Sequence, residues 1–255
     1  MKNIIISGSS GRMGRFVSSA ILSDPECETI CGIDKYIPDN SGFPVFASAL
    51  DIPDEISKKA DCMIDFSNPE CFDTNIKYCL NSNIGIVVAT TGLSDEQKQA
   101  LADASEKIPV FFSANMSLGV NLITELAKTA TKVLGSGFDI EVVEMHHNQK
   151  LDAPSGTALM IADEIKSVRN SETYYEYDRH IKREKRNANE IGIHSLRGGT
   201  VTGEHQIIFA GNDEIVTISH SARSRGLFAT GAVNAAKFIM KKQNGMFNMK
   251  DMIEE

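Results

Sequence analysis

Asn3-Ile4-Ile5-Ile6-Ser7-Gly8-Ser9-Ser10-Gly11-Arg12-Met13-Gly14 reads as a short apolar strand that passes into a glycine-rich turn. A helix follows at once. From Arg12 to Leu22 the apolar residues Met13, Phe16, Val17, Ala20 and Ile21 recur at helical spacing and line one face. Glycines in such a turn allow a tight bend and let main-chain N–H groups approach a negative ligand at the helix's positive end. The spacing is GxxGxxG, which also suits a turn that binds nothing, so the neighbouring signals decide its meaning.

Working outward, residues 28–34 predict a second strand that ends in Asp34. An acid about 20 residues past the last glycine accepts hydrogen bonds from an adenosine ribose, so turn and acid together point to a dinucleotide. No GxxxxGK followed by Ser or Thr occurs, so the loop is not a Walker-type phosphate loop. Lys35 follows directly. Asp34 suits the free 2′-OH of NADH, whereas a neighbouring cation offsets the 2′-phosphate of NADPH, and the pair predicts use of both.

Further strands are predicted at 62–66, 84–89 and 108–113. Helices open at Asn68-Pro69 and at Ser94, where Gln97 completes a capping box. Strand–helix alternation of this kind makes a parallel sheet covered on both faces, the Rossmann-type doubly wound α/β arrangement. Residues 38–53 read as an irregular surface excursion. The pattern then changes. Leu118–Leu134 has helical spacing, 139–147 is a long strand, 155–168 a helix and 170–190 a charged loop or exposed edge. Strands at 191–197, 203–210 and 214–221 follow, the last two joined by Gly211-Asn212-Asp213 as a hairpin, and 229–240 is again helical. The expectation is a second, α+β domain carrying a mostly antiparallel sheet.

Of the 255 residues 42% are hydrophobic and 24% charged, which is ordinary for a globular protein and excludes disorder as the main state. The net charge of −8 argues against general nucleic-acid binding, which needs a cationic face. No apolar run approaches a membrane span and no secretory segment is read at the start, so a cytoplasmic protein is expected. The five cysteines include no CxxC pair and read as reduced thiols, with no structural metal expected.

The second informative stretch is Glu144-Met145-His146-His147-Asn148-Gln149-Lys150-Leu151-Asp152-Ala153-Pro154-Ser155-Gly156-Thr157. On an extended strand His146 and His147 point to opposite faces, so they do not share a metal, and HExxH is absent. Two histidines and a lysine at a strand end supply proton donors and cationic hydrogen bonds instead. The helix opening at Ser155-Gly156-Thr157 offers N–H groups and a hydroxyl to a carboxylate or phosphate. The combination predicts an anionic-substrate site.

Taken together, these residues resemble the 4-hydroxy-tetrahydrodipicolinate reductase (dihydrodipicolinate reductase) family. The resemblance runs in order along nearly the whole chain: the Gly8–Gly14 turn, Asp65-Phe66-Ser67-Asn68-Pro69-Glu70, Thr90-Thr91-Gly92, Ser113 through Asn121, Glu144 through Ala158, Gly203-Glu204-His205, and Ser224-Arg225. Two positions depart from the family's usual residues: Ala89 where glycine is common, and Met116 where many members have phenylalanine.

The resemblance implies an enzyme of lysine and diaminopimelate biosynthesis that carries hydride from NADH or NADPH to a cyclic dicarboxylate. It implies that His146 gives and takes the proton and Lys150 is a cationic proton donor, while His147, Gly156 and Thr157 hold the substrate carboxylates. Gly8, Ser9, Ser10, Gly11, Arg12, Met13, Asp34, Lys35, Ala89, Thr90, Thr91, Ser113, Ala114, Asn115 and Met116 would line the nucleotide. It further implies a nucleotide domain of residues 1–116 plus 226–255, a substrate domain of 117–225, and a homotetramer built on the second sheet. Two other readings remain open on the residues alone: another two-domain NAD(P)-dependent oxidoreductase such as an amino-acid dehydrogenase, and a nucleotide-sensing protein without turnover.

Overall fold

The computed structural model describes residues 1–170 and 172–255; Ser171, inside the polar stretch 170–190, lies outside the described residues. The chain begins β1 (Lys2–Ser7), α1 (Arg12–Leu22), β2 (Cys27–Ile33), β3 (Val45–Phe46), α2 (Asp54–Ser57) and β4 (Cys62–Asp65). It continues α3 (Phe72–Ser82), β5 (Gly85–Val88), α4 (Asp95–Ser105), β6 (Pro109–Phe112), α5 (Leu118–Leu134), β7 (Asp139–His146) and α6 (Gly156–Ser167). It ends β8 (Tyr174–Glu176), β9 (Glu190–Arg197), β10 (Gly203–Ala210), β11 (Ile215–Ala222), α7 (Gly226–Ile239), β12 (Gly245–Phe247) and α8 (Met249–Ile253). Two compact units result: Met1–Leu118 with Arg225–Glu255, and Gly119–Ser224.

The first unit holds a seven-stranded sheet in the order β12-β6-β5-β4-β1-β2-β3, and every pairing is parallel. Strand alternation splits its side chains between two cores. Ile4, Ile6, Ile64, Val87 and Phe111 face α1 and α7, burying Val17, Ile21, Ala232 and Ala236. Ile5, Met63, Ile86, Val88 and Val110 face the other way, against Phe72, Ile76 and Cys79 of α3 and Leu101 of α4. This is the doubly wound arrangement. The order reverses between β1 and β4, which opens a crevice at their carboxyl ends.

Local chemistry sets the helix starts. Ser94 Oγ accepts the Gln97 N–H at 3.2 Å and Gln97 Oε1 accepts the Ser94 N–H at 3.0 Å, the expected capping box. Asn68 Oδ1 accepts the Glu70 N–H at 2.9 Å, but one 3-10 turn, Pro69–Cys71, intervenes before α3. The excursion at 38–53 is not wholly irregular: Val45 and Phe46 pair with Gly32 and Ile33 as the sheet's edge. β3 and β12 are two and three residues long. Both escape a periodicity reading because pairing, not pattern, makes them strands.

The second unit stacks a five-stranded sheet, β11-β10-β7-β9-β8, under α5 and α6, with Ile140, Val142, Ile191, Ile207 and Phe209 meeting Ile123, Ile161 and Ile165. The sheet is mixed: β10 runs antiparallel to β7 and β11, while β9 is parallel to β7 and to β8. The parallel half follows from α6, whose crossover carries the chain back to the starting end of β7 before β8 and β9 begin. β8 lies within the stretch read as a loop or exposed edge, and it is the sheet's edge.

α7 returns to the first unit through aromatic contact: Phe238 meets Phe111 edge-on at 6.2 Å between ring centroids. Phe111 has no exposed surface. Phe111→Ala is expected to cost about 3–5 kcal/mol, read by denaturant unfolding; a loss below about 1 kcal/mol would show that α7 does not depend on this contact.

Candidate active site

Because the first sheet is all parallel, the loops after β1, β2, β4, β5 and β6 emerge on one edge. The turn after β1 is folded down by two bonds, from the Gly8 and Ser9 N–H groups to the Ile33 carbonyl at 2.8 and 3.2 Å. Gly8 sits at φ +78°, and a Cβ on Gly14 would stand 2.2 Å from the Gly8 oxygen, so backbone occupies the space that side chains would need. α1 has no side-chain cap and no acid in its first turn. Its positive end is therefore available to a diphosphate, and the turn fits a dinucleotide.

Asp34 reinforces that fit. Its Oδ2 accepts the Ser10 N–H and its Oδ1 the Tyr36 N–H, each at 3.0 Å, which fixes the carboxylate against the turn while it stays half-buried. Lys35 is turned aside: its Nζ bonds Glu70 Oε2 at 3.0 Å on the loop after β4. Both side chains are largely exposed, 75% and 78%. Arg12 and Gly11 are exposed and Met13 half-buried.

The loop after β5 is anchored by the Ala89 N–H on the Asp65 carbonyl at 2.9 Å, with Thr90 buried and Thr91 exposed. After β6, Ser113 Oγ donates to the Asn115 carbonyl at 3.0 Å and Ala114 is exposed. Met116 is only 3% exposed and belongs to the core beside α1 and α7, with its carbonyl packed against Gly231 of α7. Beneath these loops Asp65 is fully buried and takes both the N–H and the hydroxyl of Ser67, at 2.9 and 2.6 Å. Burial pushes its carboxyl up.

The second unit collects a different set. Along β7, Ile140, Val142, Glu144 and His146 share the helix-covered face, and this row turns polar where α6 begins. Glu144 is fully buried. Its Oε2 meets His146 Nδ1 at 2.5 Å and accepts Arg197 Nη1 at 2.9 Å, while Oε1 accepts Arg197 Nη2 at 2.8 Å and the Ser155 N–H at 3.1 Å. Burial alone would raise this carboxyl; the Arg197 fork, the Ser195 hydroxyl, His146 and the Ser155 N–H together bring it down to about 2. For His146 burial outweighs the carboxylate, and its pKa lies below the ordinary value.

Ser155 caps α6, its Oγ accepting the Ala158 N–H at 3.2 Å, and also meets His205 Nε2 at 3.2 Å. The His205 ring lies edge-on to His146, 5.3 Å between centroids. His147 leaves the strand end half-buried, with its Nδ1 buried and unpartnered among the described residues. Lys150 Nζ pairs with Asp152 Oδ1 at 2.9 Å, and Gly156 and Thr157 form the first turn of α6. His146, His147, Lys150, Gly156 and Thr157 thus cluster around the junction of β7 and α6 within one unit. The nucleotide-lining candidates all lie in the other unit.

Sequence reading missed Glu144, Arg197, His205 and Asp65 as parts of these sites. For Glu144 the signal was present: an acid on a strand position whose period-two neighbours, Ile140 and Val142, are core. Arg197 carries no such mark, since only strand pairing brings it beside β7. Among the described residues no group of three or more His, Cys, Asp or Glu side chains could hold a metal ion, and no helix is long and apolar enough to cross a membrane.

Two family models match in succession: dihydrodipicolinate reductase, N-terminus, over residues 2–116, and dihydrodipicolinate reductase, C-terminus, over 119–253. The chain belongs to the dihydrodipicolinate reductase family. The 4-hydroxy-tetrahydrodipicolinate reductase of Caldanaerobacter subterraneus subsp. tengcongensis is 47% identical over 255 residues, covering 100% of this chain and 99% of the relative. That of Clostridium novyi is 41% identical with the same coverage. A solved structure, dipicolinate-bound dihydrodipicolinate reductase from Paenisporosarcina sp. TG-14, superposes with a TM-score of 0.81 at 27% identity, covering 97% of each chain. A Corynebacterium glutamicum DAP dehydrogenase, at TM-score 0.59 and 14% identity, shares the fold. Membership makes this chain a 4-hydroxy-tetrahydrodipicolinate reductase, an NAD(P)H-dependent oxidoreductase with a Rossmann-type nucleotide-binding fold.

The buried histidine of this reductase has a measurable consequence. Burial, and then the nearby charge of His146, pushes His205 down to about 4 from 6.5. The unfolded chain therefore takes up a proton near pH 6.5 that the folded protein refuses until about pH 4. Stability is complete above that window and falls through it, by up to about 3 kcal/mol. His205→Gln is expected to flatten this part of the stability–pH curve in thermal melts. An unchanged slope would mean that His205 is not the titrating group.

Proposed function

We propose that this reductase converts 4-hydroxy-tetrahydrodipicolinate, a cyclic dicarboxylate, to tetrahydrodipicolinate with loss of water, and that either NADH or NADPH serves it. The observation that carries the reading is the β7–α6 junction, where an imidazole backed by a buried ionised carboxylate sits with Lys150 at a helix N-terminus. A related protein bound to dipicolinate, itself a planar dicarboxylate, supports the substrate class.

The reduced nicotinamide, when bound, supplies the hydride. Gly8, Ser9, Ser10, Gly11, Arg12 and Met13 would hold the diphosphate, Asp34 the ribose, and Ala89, Thr90, Thr91 and Ser113 through Met116 the remaining length. In the second unit His147, Gly156 and Thr157 would grip the two carboxylates through cationic or N–H hydrogen bonds, which set the ring's orientation. Lys150 adds a positive charge and a proton donor where negative charge gathers. His146 transfers the proton through its ring, the side-chain type best suited to giving and taking one.

A net charge of −8 does not oppose this, because charges elsewhere are screened by salt over about 8–10 Å while local donors act at contact. The five free thiols suit the cytoplasm. The second sheet's other face, with Val143, Met145 and Ile208 half-buried and Leu196 exposed, carries no helix among the described residues and supports assembly into a homotetramer.

The direct test follows NADPH absorbance with and without the dicarboxylate; no substrate-dependent loss would end the reading. His146→Gln is expected to lower kcat by about 10²–10⁴-fold with little change in KM. Thr157→Val should instead act chiefly on the substrate KM. For the nucleotide, Lys35→Ala should raise the KM for NADPH much more than that for NADH, and Glu70→Gln, which frees Lys35, should lower it. Equal effects on both nucleotides would remove Lys35 from the ribose site.

A further inference from the structure

His146 has two ring nitrogens, and which of them carries the exchangeable proton decides what the ring can do. Glu144 lies two residues earlier on the same face of β7 and has no exposed surface. Both its oxygens are occupied by donors: the Arg197 fork at 2.8 and 2.9 Å, the Ser155 N–H at 3.1 Å, and His146 Nδ1 at 2.5 Å. A carboxylate gripped by a guanidinium fork is ionised and can only accept, so the Nδ1 contact must be N–H···O.

The opposite nitrogen is in a different situation. Among the described residues the His146 ring hydrogen-bonds through Nδ1 only, and Nε2 lies over Gly203 of β10, where a Cβ would stand 3.0 Å from it. Only a residue without a side chain lets the ring take this place, since a Cβ there would press on Nε2. Arg197 also donates Nη2 to the Asp152 carbonyl at 2.6 Å, so one guanidinium steadies both the carboxylate behind His146 and the loop that carries Lys150.

We propose that Glu144, clamped by Arg197, is the positioning residue of the reaction: it holds the proton of His146 on Nδ1 and leaves Nε2 as the atom that exchanges a proton with the substrate. The inference rests on the reductase reading above for the identity of that substrate, and on the contacts alone for the state of the ring. The charged and titratable groups that face the imidazole are Glu144 and Lys150 on β7 and its following loop, Arg197 on β9 and His205 on β10, with His220 standing opposite His205 in the register of the neighbouring β11. Of these only Glu144 is negative. Removing its charge leaves Arg197 and the Asp152-paired Lys150 as the charges acting on the ring and lowers its affinity for a second proton.

The test is ¹⁵N NMR of the full chain labelled at histidine, with His146 assigned by its loss in His146→Gln, together with kinetics of Glu144→Gln. Wild-type protein without ligands is expected to show the neutral ring protonated on Nδ1. Glu144→Gln should shift the ring toward the Nε2–H form and lower kcat at least about 10-fold. The limb of its kcat–pH profile that reports His146 should move to lower pH, with the nucleotide KM unchanged. A wild-type ring protonated on Nε2 overturns the proposal. So does a Glu144→Gln protein whose tautomer and pH profile match wild type. If Glu144→Gln does not fold, the wild-type ring shifts decide by themselves. An Nδ1–H ring in a protein that fails to reduce the dicarboxylate would refute the proposed reaction and leave the role of Glu144 in setting the ring intact.

Discussion

The end of the second unit where β7 meets α6 is organised around one buried ion pair, Glu144 with Arg197. A fully buried carboxylate is costly unless its charge is matched and its lone pairs are filled, and Glu144 meets both conditions through Arg197, Ser155 and His146. Each partner belongs to a different element: Arg197 to β9, Ser155 to the cap of α6, His146 to the end of β7. Satisfying one charge therefore fixes the strand end, the helix start and the loop between them. Well-packed apolar residues could stabilise the same region at least as well, so the pair is better understood as setting geometry than as adding stability.

In the first unit the constraint is directional. Parallel strands send their connecting loops to one edge, and the reversal of strand order between β1 and β4 leaves a gap there. Asp65, buried at the end of β4 beside Ser7, ties the following turn through Ser67, while Asn75 reaches Ser7 Oγ at 2.8 Å. The uncapped N-terminus of α1 is the complement of this: donors left open at the surface, where a diphosphate can take them, above a buried polar layer in which Asp65 Oδ2 and Ser9 Oγ have no hydrogen-bond partner among the described residues. Lys35 shows the same economy in reverse, its charge already met by Glu70.

Much of this was legible in the chain, and the reasons are local. The Gly8–Gly14 turn, the Ser94 capping box, the hairpin at Gly211-Asn212-Asp213 and the amphipathic helices announce themselves because a few adjacent residues determine their backbone. The elements that were not legible are those that partners define. β3 and β12 exist because an edge strand was there to pair with, and the mixed character of the second sheet depends on where α6 delivers the chain.

The same division runs through the site. Residue types and spacing alone determined that a strand–turn–helix with a distal acid would serve a dinucleotide, and that two histidines, a lysine and a helix start would gather in one segment. Sequence adjacency suffices there, because the groups are neighbours along the backbone. Tertiary structure alone decided how those groups are held. Arg197 reaches Glu144 across a strand pairing 53 residues away in sequence, and His205 meets Ser155 across 50. Contacts of that range are created by packing, and no local pattern encodes them.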